Sequence, residues 1–62
     1  MKVRVVSFHQ EDVVSTEKKT LNEIFEVVDY NNVYLPFDLY KIVTKGKYDG
    51  CLLYKDCCEV SE

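Results

Sequence analysis

Residues 2–8 set Val3, Val5, Val6 and Phe8 among polar side chains. β-branched residues dominate this run, so it reads as a strand. Apolar groups on both of its faces point to a strand interior to a sheet or covered on both sides. Residues 9–12 read as a polar loop, and Val13 and Val14 form a short apolar pair behind it.

Over residues 15–32 the period changes. Leu21, Ile24, Phe25 and Val28 stand at i, i+3, i+4 and i+7, which is the spacing of one helix face. Asn22, Glu23, Glu26 and Asp29 fall mostly on the opposite side. Thr20 and Glu23 have the spacing of a capping box. Asn31 and Asn32 supply a stop, since Asn tolerates the left-handed conformation. A helix is expected here.

Residues 33–35 are short and β-prone, and Pro36 pushes Leu35 toward extended geometry. Residues 37–45 fit two patterns. As a helix they have Pro36 in the first turn, Asp38 near the start, Lys41 and Lys45 toward the end, and Gly46 just beyond it. As a strand they offer Tyr40, Ile42, Val43 and Thr44. The start and stop signals favour the helix. Asp49 followed by Gly50 marks a turn, and residues 51–54 read as a second strand that is apolar on both faces. Residues 1–56 then form one domain, and 57–62 a polar C-terminal tail.

The fold expected from this pattern is a small two-layer α/β domain. It has two to three strands, with one or two helices packed on one face, in the order β-α-β-α-β. The strand reading of 37–45 gives an α+β alternative, β-α-β-β-β with a C-terminal hairpin.

Length sharpens this picture. Sixty-two residues make one core at most, and such a chain buries only about 60% of its unfolded surface. No apolar run approaches the roughly 18 residues of a membrane helix, and the N-terminus lacks the h-region of a signal peptide. A cytoplasmic chain is expected, with no membrane partner. A core this small calls for a supplement.

Disulfides fit poorly as that supplement. Cys51, Cys57 and Cys58 are odd in number and two are adjacent, so free thiols are expected. Zinc on Cys51, Cys57, Cys58 and His9 has the right ligand count, but gaps of five residues and none do not match a zinc turn. His9 could serve Cys57 as a base only if the fold brought the two together. The sequence therefore assigns no catalytic residue, no metal ligand and no cofactor. Docking onto a larger protein, or self-association into a homo-oligomer, is the remaining supplement.

Two surfaces are candidates for contact. Five tyrosines against no tryptophan suit an interface, because Tyr offers large area with a polar tip. Tyr30 and Tyr34 flank the Asn31–Asn32 turn and form an aromatic patch with Phe37. Glu23 and Glu26 add acid from the expected helix. This set is the predicted partner-binding surface of an inhibitor, adaptor or regulator, which is the style of a phage- or virus-type modulator. The alternative is a single-stranded nucleic-acid module. Lys41, Lys45 and Lys47 cluster around Gly46, with Tyr40 and Tyr48 interleaved for stacking. A net charge of −3 and a single arginine, Arg4, run against that alternative.

Overall fold

The computed structural model describes residues 1–9, 16–31, 34 and 38–61. Strand β1 (Lys2–Val5) is followed by a single helical turn, α1 (Thr16–Lys19). Strands β2 (Ile24–Tyr30), β3 (Leu39–Ile42) and β4 (Leu52–Tyr54) follow. A 3-10 turn (Lys55–Cys57) leads directly into β5 (Cys58–Val60). All pairings are antiparallel, and the strand order is β4-β3-β2-β1-β5.

This architecture overturns the expected two-layer α/β domain. The helix expected over 15–32 is a four-residue turn plus a strand. The segment from Ile24 to Tyr30 reads IFEVVDY, and its β-branched and aromatic residues favour a pleated surface. Phe25 and Val27 are buried while Ile24, Glu26 and Val28 are exposed, which is the two-residue period of a strand. The supposed capping box is the end of α1 instead. Thr20 Oγ1 donates back to the Thr16 carbonyl at 2.8 Å, Glu23 N–H donates to the Thr20 carbonyl at 2.9 Å, and Asn22 takes φ 71°. A left-handed residue there stops the helix before the apolar period begins.

Residues 39–42 are likewise a strand rather than a helix. The hairpin of the α+β alternative is therefore present, but among the described residues the only α-helical segment against it is the single turn α1, which meets β4. Its turn closes at Gly50, whose N–H donates to the Ile42 carbonyl at 2.8 Å with φ at 86°, a conformation that favours glycine. The expected polar tail contains β5, which pairs Val60, Glu59 and Cys58 with Val3, Arg4 and Val5. The expectations for 10–15, 32–33 and 35–37 lie outside the described residues.

Strand β2 serves two neighbours in succession. Ile24, Phe25 and Glu26 pair with Arg4, Val3 and Lys2 of β1. Val27, Val28, Asp29 and Tyr30 pair with Ile42, Lys41, Tyr40 and Leu39 of β3. The sheet thus behaves as two leaves sharing one strand, an arrangement that turns a corner.

The order of strands requires strong curvature. In a flat sheet, β4 and β5 would lie four spacings, or about 19 Å, apart. The four peptide units from Tyr54 to Cys58 span at most about 14 Å. The sheet therefore curls into a partly closed barrel, and the molecule measures 27 × 24 × 21 Å. Its core takes Val3, Val5 and Phe25 from one leaf and Val27, Ile42 and Leu53 from the other. Tyr40, Tyr48, Cys51 and Cys58 pack at the margin. Among the described residues no helix is long and apolar enough to cross a membrane.

Candidate functional site

The seam where β4 passes into β5 gathers the reactive side chains. Val6 and Ser7 N–H both donate to the Cys57 carbonyl, at 2.8 and 3.3 Å, so the end of β1 is tied to the 3-10 turn. That tie carries His9 to the same place. His9 Nε2 lies 3.3 Å from Asp56 Oδ1. The imidazole stands edge-on to the Tyr54 ring, with centroids 4.8 Å apart. Cys57 sits beneath, buried. One nitrogen, one carboxylate oxygen and one sulfur of His9, Asp56 and Cys57 all fall within 4.8 Å of one another.

The thiols here resist ionisation. Burial pushes Cys57 up from its ordinary value, the Asp56 and Glu17 carboxylates add to the effect, and a hydrogen bond with Ser7 opposes it. Cys58 is pushed up to about 11, first by burial and then by Cys57, Glu17 and Asp56. Burial thus disfavours the thiolate, the form that attacks electrophiles or binds metals. The three cysteines are free thiols, and Cys51 lies outside this seam among the core-margin residues.

Glu17 is a structural residue that the sequence pattern conceals. An acidic side chain beside Lys18 and Lys19 is ordinarily solvated, yet Glu17 is 2% exposed. Its Oε2 accepts the Tyr54 N–H at 3.0 Å. A buried carboxylate thereby satisfies a donor on the outer edge of β4.

The predicted partner-binding residues are dispersed differently from expectation. Tyr34 is 88% exposed in the β2–β3 connection, while Tyr30 is half-buried opposite Leu39. Phe37 lies outside the described residues. Glu23 precedes β2, and Glu26 lies on the outward side of β2, where its Oε2 pairs with the Met1 ammonium at 2.9 Å. There is no acidic helix face, because the segment is a strand.

That outward side of β2 has its own character. Ile24, Glu26 and Val28 project together, and Val43, whose N–H donates to the Glu26 carbonyl, stands beside them. Ile24, Val28 and Val43 are each 40–48% exposed. The cross-strand neighbours of Ile24, Glu26 and Val28 are Arg4, Lys2 and Lys41. An aliphatic strip is thus flanked by cations.

The lysine–tyrosine set divides by burial. Lys41, Lys45 and Lys47 are exposed. Tyr48 packs edge-on to Phe25 at 6.0 Å between centroids, with the Lys47 ammonium 5.5 Å above its ring. Tyr40 packs against the core beneath the Lys55 ammonium at 5.1 Å. Both rings therefore help close the barrel. No protein-family model, curated protein or solved structure matches the chain.

Proposed function

We propose that the chain is a protein-interaction module, a small regulator or inhibitor that docks onto a larger protein by the outward face of β2 and β3. The carrying observation is that Ile24 and Val28 of β2 and the adjoining Val43, grouped around Glu26, are left 40–48% exposed while the other face of β2 fills the core. Scattered apolar residues on a surface are ordinary, but adjoining ones mark contact sites. Arg4, Lys2 and Lys41 flank the strip, so its partner presents an apolar ridge bordered by carboxylates. Tyr34, 88% exposed at the Tyr30 end of this face, extends the contact. The packing of Tyr40 and Tyr48 against the core favours this reading over single-strand stacking.

The test compares the full chain with Val28→Glu. Glutamate opposite Lys41 forms a favourable cross-strand pair, so the variant keeps its thermal midpoint. The wild type is expected to capture a partner that the variant releases. A partner held equally by both overturns the docking face. Tight oligonucleotide binding that weakens steeply with salt supports the nucleic-acid alternative instead.

A further inference from the structure

We propose that His9, Asp56 and Cys57 form a zinc site at the seam between β1, the 3-10 turn and β5. The donor set is the first argument. Imidazole nitrogen, thiolate sulfur and carboxylate oxygen are the ligands of a borderline divalent ion, whereas magnesium and calcium take oxygen alone. Geometry is the second. The three atoms lie within 4.8 Å of one another, and a tetrahedral zinc with bonds of about 2.0–2.3 Å separates its ligand atoms by roughly 3.3–3.8 Å. His9 Nε2 and Asp56 Oδ1 are already 3.3 Å apart. Closing the remaining distance takes side-chain rotation of less than about 1.5 Å by two exposed groups.

Pre-organisation is the third argument. Two backbone hydrogen bonds onto the Cys57 carbonyl hold the segments together, and the Tyr54 ring orients the imidazole. The Asp56 and Glu17 carboxylates that disfavour the Cys57 thiolate in the metal-free chain favour a cation at the same place, so the ion takes over the neutralising role of the thiol proton. On binding, the Cys57 thiol gives its proton to solvent as the zinc–sulfur bond forms, so affinity rises with pH. Three protein ligands leave the fourth position to water. The site is invisible to local spacing, because His9 is separated from Asp56 by 47 positions.

The site is also a staple for a small core. Zinc would clip the end of β1 to the β4–β5 seam, and an ion that binds only the folded state raises stability by mass action.

The experiment titrates the full, reduced chain with cobalt(II), followed by zinc displacement. One equivalent of cobalt is expected to give a thiolate-to-metal charge-transfer band, which zinc bleaches. Cys57→Ser should abolish the band. Because a buried substitution can unfold the chain, His9→Ala on the surface is the second variant. It should weaken zinc at least about tenfold, as lost ligand support does elsewhere, and remove the zinc-dependent rise in thermal midpoint. Cys51→Ser and Cys58→Ser should keep both signals. Absence of the band in the wild type overturns the proposal. So does a band that survives Cys57→Ser, or zinc affinity unchanged in His9→Ala.

Discussion

The two edge strands, β4 and β5, are separated by only three residues, yet each is protected in its own way. An open strand edge invites pairing with another chain. At β4 the helical turn α1 brings the buried Glu17 carboxylate onto the Tyr54 N–H. The same end is tied to β2 by Lys55 Nζ, 2.7 Å from Asp29 Oδ1. Strand β5 has no such buried acid on its described residues. It is three residues long, carries the exposed Glu59, and leaves Val60 61% exposed. One edge is closed by a side chain brought from elsewhere in the chain. The other is defended by brevity and charge. The curl that sets these edges close together also collects His9, Asp56 and Cys57 in the seam.

The largest effect should separate the edges by their core contribution. Leu53 of β4 is fully buried, so Leu53→Ala should cost about 2–5 kcal/mol. Val60→Ala on β5 should stay within about 0.5 kcal/mol. Urea unfolding of both variants checks this, and equal losses would break the contrast. Next in size is the edge cap. Glu17→Ala removes the acceptor held by the part-buried Tyr54 N–H and should cost about 1–3 kcal/mol, with faster hydrogen exchange at Tyr54. Glu17→Gln keeps an acceptor and should lose less.

A smaller effect is alkaline. Cys58 of β5 has its thiol raised from 9.0 to about 11 in the folded chain. Between those values the unfolded chain has lost the proton and the folded chain still holds it. Stability from this group is complete below 9.0 and declines as pH rises toward about 11, by proton linkage. Urea titrations in chelator should show the decline, and Cys58→Ala should flatten it. The smallest effect belongs to the Lys55–Asp29 pair. Asp29 holds the Lys55 ammonium above its ordinary range, chiefly by a hydrogen bond. Because the pair is exposed, Lys55→Met should change the melting midpoint only slightly, and high salt should erase the difference.

Sequence reasoning succeeded where one short segment was enough. The strands expected over 2–8 and 51–54 occur over 2–5 and 52–54, with β1 interior to the sheet but buried on one face only, and Asp49 and Gly50 do lie in a turn. It failed where two periods fit the same residues. Leu21, Ile24, Phe25 and Val28 match a helix face, yet Leu21, Ile24 and Val28 are exposed and only Phe25 is buried. Asn22 had already ended the helix, and the β-branched run then paired on both sides. Likewise Lys41, Lys45 and Gly46 resembled a helix end, but Ile42 was needed in the core opposite Val27. The candidate site fared similarly. His9, Asp56 and Cys57 were legible as residues that neighbouring strands could bring to one edge, but β1 and β4 are not neighbours in the sheet, and the structural role of Glu17 was not legible.

By itself the sequence determined which stretches favour extended backbone, where a tight turn falls, and that the core would be small. Those properties depend on neighbouring residues and on side-chain shape. Only the tertiary structure decided that β2 is shared between two leaves, that residues 58–60 return to pair with β1, and that His9 meets Asp56 and Cys57. The β1–β5 pairing joins Val3 to Val60, and His9 meets Asp56 across 47 positions; contacts so distant in sequence are encoded by no local pattern. They follow from burying six side chains from two leaves in one core, which a chain with so short a link between β4 and β5 can do only by curling its sheet.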